Sequence, residues 1–361
     1  MAKLKPVTAM VVGLGRIGFL YHLRRLAGDP REKDRPADPK FRVTCVVDAE
    51  PDRRREVEEL YSIRTFASVE EAAKAGLAEL AVICTRSVDH CAHTVACIKA
   101  GMHCLVEKPA AMNLKEFDRM FITAQKAHVL LTFNQSLRAH DDVRFIRDVI
   151  DSKMLGKVYW IRCDGLSFYR RNDWQVVKKY GGGLFYNGGS HGVDMLLRYA
   201  DAPIHDVWGD LKHVTAAGDA DDFIRVSIRT TDGRLLELSN SMGSALGAEF
   251  PRWLVCGTHG ALEIASGESI KVAKVKYFDP KKAPERVNEG PVPVGRKYRI
   301  PDEIPWIEKE IPILPKKPWQ EWYDNLYDAI RRGRPLNVTP ESVRLTMWTM
   351  DRARRTSQWA Y

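Results

Sequence analysis

Three glycines near the N-terminus have the spacing of a dinucleotide-binding turn. Gly13, Gly15 and Gly18 form a GxGxxG pattern that follows the apolar run VTAMVV and precedes a helical pattern. In such a turn the first glycine permits a tight bend, the second lets the backbone approach a pyrophosphate, and the third lets helix and strand pack closely. The pattern therefore predicts dinucleotide binding, with Arg16 and Ile17 inside the turn; a purely structural glycine turn is the alternative.

A carboxylate at the end of the second apolar run bears on which dinucleotide binds. Asp48 ends the run FRVTCVVD, later than the usual spacing of about 20 residues, because a polar loop at 28–40 intervenes. A carboxylate accepts hydrogen bonds from two free ribose hydroxyls and repels a 2′-phosphate. We therefore expect NAD as the cofactor, with NADP less favoured, although Arg53 nearby weakens this preference.

A lysine follows another apolar run. Glu107-Lys108-Pro109 closes the segment HCLVEK, and in an open α/β sheet the carboxyl ends of the strands face the ligand crevice. Lys108 is therefore expected near the reactive end of a bound cofactor. The alternative is a surface lysine in a turn.

A glycine-rich stretch leads to a third polar group. The glycines at 181–183 precede Asn187, His191 and Asp194, whose i, i+4, i+7 spacing would place them on one face of a helix. A lone histidine usually has a packing or surface role, but the glycines and two polar neighbours favour a functional role here. A histidine in this setting can act as a general base.

Apolar runs that alternate with helical patterns would position the first two groups. Runs ending at 12, 48, 85, 108 and 134 are separated by predicted helices, which is typical of βαβ units and a doubly wound parallel sheet. From about residue 157 strand-like segments follow one another through short turns and predict a mainly antiparallel sheet with one helix near 189–199. The expected fold is an α/β Rossmann domain over 1–136 and an α+β domain over 137–361.

The last part of the chain has a different composition. Residues 280–318 hold nine of the 19 prolines, and so long a segment without periodicity is typical of a functional arm or lid. A surface-wrapping or subunit-contacting arm is the alternative. Amphipathic patterns at 319–332 and 340–357 predict two further helices, the second of which closes the chain.

Composition excludes several classes of protein. The 361 residues are 45% hydrophobic and 9% aromatic, enough for a substantial core and inconsistent with a disordered chain. The chain has no run of about 18 apolar residues, so we expect no membrane span. The N-terminus does not resemble a secretory signal. Seven scattered cysteines indicate reduced thiols, hence a cytoplasmic protein.

The net charge of +9 raises the question of a nucleic-acid partner. Nucleic-acid binders usually concentrate basic residues on one face or in one tract. Here the excess is spread over both halves and the basic runs are short. We expect no nucleic-acid partner, while attraction of an anionic small molecule stays open.

Taken together, GLGRIG, EKP and GGGxxxNxGSHxxD resemble the motifs of the glucose–fructose oxidoreductase/inositol dehydrogenase/MocA family, and the resemblance spans nearly the whole chain. It implies an N-terminal Rossmann domain that binds NAD(P). It also implies a C-terminal domain with a large open sheet, through which a homodimer or homotetramer forms. The cofactor contacts expected beside the glycine turn and Asp48 are Arg53, Thr85, His90, Glu107, Lys108 and Asn134.

The resemblance implies that Lys108 and His191 are the catalytic pair in oxidation of a secondary alcohol on a sugar, glycoside or cyclitol. His191 takes the hydroxyl proton, Lys108 polarises the oxygen, and hydride leaves to the nicotinamide. The expected substrate contacts are Tyr169, Trp174, Asn187, His191 and Asp194. For the two aromatic residues, core packing is an equally good interpretation.

The sequence departs from the family pattern in three places. Asn187 stands where an aspartate is usual, Thr85-Arg86-Ser87 replaces the common Thr-Pro-Asn, and the proline-rich stretch is longer than expected. The asparagine supplies no negative charge, so an imidazolium at His191 is less stabilised and the neutral base is favoured.

Three other functions stay open. Relatives that cleave glycosidic bonds by transient oxidation suggest an NAD-dependent glycosidase, and relatives without turnover suggest a sensor that binds cofactor and sugar. A zinc site is the least favoured, because paired CxxC spacing is absent. Its candidate ligands would be His90, Cys91, His93, Cys97, His103 and Cys104.

Overall fold

The computed structural model describes residues 4–32, 34–267, 272–283, 289–291, 294–295, 304–315 and 318–359. Its strands form two sheets, and its helices pack against them. The elements up to the connection between the sheets are β1 (Val7–Val12), a π-helical turn (Gly18–Leu23) continued by α1 (Arg24–Ala27), β2 (Phe41–Val47), α2 (Pro51–Tyr61), β3 (Arg64–Phe66), α3 (Val69–Ala75), β4 (Leu80–Ile83), α4 (His90–Lys99), β5 (His103–Val106), α5 (Leu114–Ala127), β6 (Leu131–Phe133) and α6 (Asp141–Asp151).

The first sheet is parallel and has the strand order β3-β2-β1-β4-β5-β6. Its central strands β1 and β4 are almost entirely apolar and buried, as expected when helices cover both faces of a parallel sheet. The strand order reverses between β1 and β4, which creates a crevice at their carboxyl ends. The predicted doubly wound parallel sheet is confirmed.

The second sheet has eight strands and one long helix against it. Its order is β14-β13-β12-β11-β7-β10-β9-β8, antiparallel throughout except that β10 pairs with β7 in parallel. The predicted large, mainly antiparallel sheet is confirmed. The elements that follow α6 in the chain are β7 (Val158–Leu166), α7 (Ser190–Leu197), β8 (Ile204–Lys212), β9 (Phe223–Thr230), β10 (Leu235–Ser241), β11 (Trp253–Gly257), β12 (Gly260–Ile264), β13 (Val272–Tyr277), β14 (Ile307–Pro312), α8 (Pro318–Arg332) and α9 (Pro340–Thr356).

The two C-terminal helices fasten the two sheets together. Although α8 follows the second sheet in sequence, Tyr323 packs edge-on against Phe41 of β2, and Arg331 forms a salt bridge with Glu79 beside β4. Helix α9 packs against β8, where the backbone of Ala353 leaves room only for the glycine at position 209. The domain boundary between residues 136 and 137 stays a prediction, since α8 lies after that boundary in sequence but packs against the first sheet.

One expectation about the proline-rich segment is wrong. Residues 307–312 are not structureless: they form β14, which pairs antiparallel with β13 and extends the sheet. The prolines fall before and at the end of this strand, on the sheet edge where a missing N–H costs nothing. The parts of the segment at 284–288, 292–293, 296–303 and 316–317 lie outside the described residues.

Among the described residues, no helix is both long and apolar enough to cross a membrane.

Candidate functional site

The glycine turn is shaped by backbone contacts that leave no space for side chains at two positions. Gly13 has φ +90° and donates its N–H to the Val47 carbonyl at 2.7 Å. A Cβ at Gly18 would lie 1.8 Å from the Gly13 carbonyl oxygen, so helix and strand are in direct contact there. A Cβ at Gly15 would meet nothing within 4 Å. The open side of Gly15 therefore faces a cavity.

Asp48, just after β2, is held beside this turn. Its Oδ2 accepts the Leu14 N–H at 2.6 Å, and its Oδ1 accepts the Glu50 N–H at 2.9 Å. The Arg53 guanidinium lies 3.4 Å from Oδ2. An ionised carboxylate has about four acceptor positions, so these three contacts leave one position for a hydroxyl group, and a second becomes available if the half-exposed Arg53 side chain moves away.

A cavity of about 530 Å³ runs from this turn to the carboxyl ends of β4 and β5. Its lining joins the two ends of a dinucleotide site: the glycine turn and Asp48 at one end, and Lys108 at the other. The exposed backbone at Gly15 and the carboxylate at Asp48 suit a pyrophosphate and a ribose, so the residues present fit a nicotinamide dinucleotide. Of the predicted cofactor residues, the cavity is lined by Gly13, Gly15, Arg16, Ile17, Asp48, Arg53, Thr85, His90, Glu107 and Lys108.

Two predicted cofactor residues do not reach this cavity lining. Gly18 acts by close packing, and Asn134 donates its amide N–H to Glu107 Oε1. His90 does line the cavity, and its ring nitrogens lie 2.8 Å from the Pro109 carbonyl and 3.1 Å from the Thr85 carbonyl. It therefore ties together the loops that follow β4 and β5.

A buried network supports Lys108 from behind. Glu107 Oε1 accepts a hydrogen bond from His22 Nε2 at 2.8 Å, and His22 Nδ1 lies 2.5 Å from the Tyr323 hydroxyl of α8. Burial alone raises the pKa of Glu107, but the hydrogen bond and charge of His22, with Asn134 and Lys108, bring it down to about 2. Glu107 is therefore ionised and fixed directly beside Lys108.

Lys108 reaches across from the first sheet to the glycine-rich segment before α7. Its Nζ donates to Asn187 Oδ1 at 2.7 Å and to the Asn187 carbonyl at 3.3 Å. The Asn187 amide in turn donates to Gln175 Oε1 at 3.1 Å. Burial lowers the pKa of Lys108, the negative charge of Glu107 opposes this, and Arg171 adds to the lowering.

His191 is held by a residue that the sequence patterns did not indicate. Its Nδ1 lies 3.2 Å from Gln135 Oε1, which can only accept, so Nδ1 carries the proton and Nε2 presents a lone pair. Burial, and then the positive charge of Lys108, lower the pKa of His191 to about 3. The imidazole is therefore neutral at pH 7. The structure brings Lys108, Asn187 and His191 together, although His191 itself lies outside the cavity lining.

Asp194 is placed differently from the substrate contact expected of it. It is 1% exposed, accepts two hydrogen bonds of 2.6 Å from the Arg138 guanidinium, and accepts a third from Thr346 at 2.8 Å. A carboxylate engaged in this way cannot orient a sugar. Its contacts join α7 to α9 and to the segment after β6, which is a structural function.

Of the two aromatic residues predicted to contact substrate, only one lines the cavity. Trp174 lines the cavity, next to Gln175 and the glycines at 181–183. Tyr169 is 42% exposed and lies outside the cavity lining. Only Trp174 is in a position to offer a ring an apolar face.

No cluster of three or more metal-ligating side chains with suitable geometry occurs among the described residues. The zinc alternative, which depended on His90, His93 and nearby cysteines, has no support from their arrangement. His93 instead lies 3.1 Å from the Thr85 hydroxyl.

Family models match both parts of the chain. An oxidoreductase family with an NAD-binding Rossmann fold matches residues 7–135, and the GFO/IDH/MocA C-terminal domain matches residues 143–263. The chain belongs to the GFO/IDH/MocA oxidoreductase family. The resemblance expected from the three motifs is thereby confirmed.

Curated relatives of this GFO/IDH/MocA chain include several dehydrogenases. Myo-inositol 2-dehydrogenase of Thermotoga maritima is 24% identical over 265 residues, which are 70% of this chain and 73% of that protein. UDP-N-acetylglucosamine 3-dehydrogenase of Acidithiobacillus ferrooxidans is 29% identical over 139 residues, 38% of this chain and 39% of that protein.

Solved structures share the fold over the full length. An NAD-binding protein from Listeria innocua superposes with a TM-score of 0.80 at 19% identity, covering 98% of both chains. The WlbA dehydrogenase from Bordetella pertussis, in complex with NADH and UDP-GlcNAcA, has a TM-score of 0.74 at 18% identity and covers 97% of this chain and 96% of its own. At these identities the likeness establishes the fold.

Proposed function

We propose that the protein is an NAD-dependent dehydrogenase that oxidises a secondary alcohol of a sugar, glycoside or cyclitol. The observation that carries this proposal is the contact of Lys108 with Asn187 on the wall of the dinucleotide-shaped cavity, with the neutral His191 imidazole one helical turn after Asn187. A cation and a neutral imidazole at this place are what proton removal from a hydroxyl group requires.

His191 acts as the general base. Gln135 holds the proton on Nδ1, so Nε2 accepts the substrate hydroxyl proton. With the pKa of His191 lowered to about 3, the base is in its active form across the physiological range. The imidazolium formed during the reaction is a strong acid in this environment, so it releases the proton to solvent before the next turnover.

Lys108 stabilises the oxygen as it gains negative charge. Its Nζ has three N–H donors, of which two point to Asn187. The third is available to the substrate oxygen, and the fixed carboxylate of Glu107 favours the charged form of the ammonium group against the effect of burial. Asn187 therefore orients Lys108 and leaves its positive charge unpaired at this position, whereas an aspartate here would neutralise that charge.

The dinucleotide, when bound, accepts the carbon-bound hydrogen as hydride. Asp48 supports NAD over NADP, because its buried carboxylate lies on the cavity wall with a free acceptor position. The named relatives that act on inositol and on sugar nucleotides support the substrate class.

The second sheet supports assembly into a homodimer or homotetramer. Its face opposite α7 and α9 carries apolar side chains among charged ones, including Trp208, which is 46% exposed, and Leu254. Exposed aromatic residues on a broad sheet face are typical of a protein–protein interface. Sedimentation at several protein concentrations tests this assembly.

The enzyme activity is tested in two steps. Mass spectrometry of the purified protein detects retained dinucleotide, and a panel of myo-inositol, methyl glucosides and UDP-N-acetylglucosamine then tests for formation of reduced nicotinamide. Product analysis separates the alternatives, since a free aglycone without reduced cofactor indicates a glycosidase. We expect His191→Ala to lower kcat at least about 100-fold, while exposed Lys115→Ala leaves it unchanged; wild-type turnover by His191→Ala would refute the assignment.

A further inference from the structure

A second cavity, of about 310 Å³, lies at the junction of the two sheets, and the proposed reaction does not use it. It is bounded by the segment that leaves β6, by α6 and α7, and by α8 with the loop that follows it. The described lining residues are Gln135, Arg138, Ala139, Arg144, Arg198, Trp322, Asn337 and Val338. Three of these eight side chains are guanidinium groups, and no carboxylate is among them.

Two donors in this lining have no acceptor among the described residues, and one of them is a deeply buried atom. Trp322 is 7% exposed, and its indole N–H makes no hydrogen bond. Gln135 is 2% exposed; its Oε1 is used by His191, and its amide nitrogen has no described partner. Buried donors are almost always satisfied, so the Trp322 indole N–H indicates a missing acceptor, in a wall that also presents the Gln135 amide.

The Arg198 guanidinium presents unused donors to this cavity. Arg138, by contrast, is engaged by the Asp194 carboxylate. Arg198 donates its Nε to the Asp194 carbonyl at 3.3 Å, and its two terminal nitrogens have no described partner. Burial, and the neighbouring charge of Arg138, lower the pKa of Arg198 even though Asp194 opposes this. The Arg198 cation is therefore undercompensated in the protein alone.

We propose that this cavity is an anion site that binds a phosphate group through Arg198, the Trp322 indole N–H and the Gln135 amide. A tetrahedral oxyanion offers acceptors in several directions, which matches donors contributed by three separate elements. The volume holds a phosphate group with space to spare, so the ligand is either free inorganic phosphate or the phosphate group of a small metabolite.

The site is distinct from the dinucleotide cavity but adjoins the catalytic group. Gln135 lines the second cavity with one end of its amide and holds His191 Nδ1 with the other. Occupancy therefore fixes the amide whose oxygen determines the His191 tautomer. The direct consequence is binding, which requires neither cofactor nor substrate and is measured apart from the dehydrogenase activity.

The test is calorimetric titration of the full-length protein with inorganic phosphate at constant ionic strength, with a parallel titration by glucose 6-phosphate. Saturable binding of either ligand at one site per chain is expected, and the tighter of the two identifies the source of the phosphate group. Arg198→Gln removes a charged donor and Trp322→Phe removes only the indole N–H and part of the ring; each should weaken binding about tenfold or more.

Arg119→Gln, on the exposed surface of α5, removes the same charge away from the cavity and should leave the affinity unchanged. Circular dichroism establishes that each variant is folded. The proposal is overturned if neither ligand binds the wild-type protein. It is also overturned if both folded cavity variants bind like the wild type, or if Arg119→Gln weakens binding as much as they do.

Discussion

The carboxylate of Asp48 provides the most direct test of cofactor choice, because binding is measurable before any substrate is known. Asp48→Asn keeps the size of the side chain and removes its charge. The two backbone N–H groups of Leu14 and Glu50 now compete for one amide oxygen, and the ribose hydroxyls lose a charged acceptor. Arg53, no longer facing a carboxylate at 3.4 Å, becomes available to a 2′-phosphate.

The magnitude follows from these contacts. A hydrogen bond to a charged acceptor is worth about 1 kcal/mol more than one to a neutral acceptor, so two ribose hydroxyls lose about 2 kcal/mol, or about 30-fold in NADH affinity. Removing repulsion between a carboxylate and a 2′-phosphate about 5 Å apart in water gains about 1.5 kcal/mol, or about tenfold in NADPH affinity. NADPH keeps the 3′-hydroxyl and loses about 1 kcal/mol there as well, so the NADH/NADPH affinity ratio should fall by about 70-fold.

Fluorescence titration of NADH and of NADPH against the wild-type and variant proteins measures this ratio. Glu50→Gln is the matched control, since it removes one carboxylate from the same cavity wall and leaves the Asp48 carboxylate in place. An unchanged ratio in Asp48→Asn, or an equal change in Glu50→Gln, would refute the reasoning that Asp48 selects the ribose.

Other predictions concern the catalytic group, the buried network and the turn. Asn187→Asp should raise the pKa of His191 from about 3 to about 5, since a carboxylate about 6 Å away favours the imidazolium by about two pH units. The pH profile of kcat/KM should then decline below pH about 5, because the neutral base is lost there. Tyr323→Phe leaves His22 Nδ1 without its hydroxyl partner. It should lower the free energy of unfolding by about 1–3 kcal/mol, as measured by urea denaturation. Gly15→Ala should fold normally yet bind NADH far more weakly, as titration would show.

Two of these have a control variant in the chain. Tyr327→Phe removes a hydroxyl with longer hydrogen bonds, 3.3 Å and 3.5 Å, to backbone carbonyls of the N-terminal segment, and should lower stability less than Tyr323→Phe does. Gly76→Ala, at a glycine with φ +60° outside the cavity, should lower stability through backbone strain yet leave NADH affinity intact. A level acid profile in Asn187→Asp would contradict the electrostatic account of His191.

Local patterns were sufficient to predict the parts of the site that depend on local backbone. The turn at Gly13 and the strand end at Lys108 lie within short segments whose shape is set by a few neighbouring residues, so their spacing predicts their position. The same holds for the alternation of strands and helices that indicated both sheets. The strand β14 was missed because prolines obscure its alternation, and only β13, far away in sequence, completes it.

Local sequence patterns did not predict contacts between residues that are far apart in the chain. Asp194 lies three residues after His191, where a carboxylate that binds substrate and one that binds Arg138 look alike in sequence; the deciding partner is 56 residues away. Gln135 and His22 were missed for the same reason. Gln135 does follow Asn134 at the carboxyl end of a parallel strand, and that position was the available signal.

The packing of α8 on the first sheet has a consequence for the order of folding. Tyr323 meets His22 across 301 residues of sequence, and Arg331 meets Glu79 across 252. A chain made from its N-terminus thus carries a parallel sheet whose buried histidine and adjacent apolar surface stay incomplete until most of the protein has been synthesised. Such long-range closure slows folding and exposes the intermediate to aggregation. In sequence, the first sheet and its helices look like an independent folding unit. In the structure, their core is completed only by the last helices of the chain.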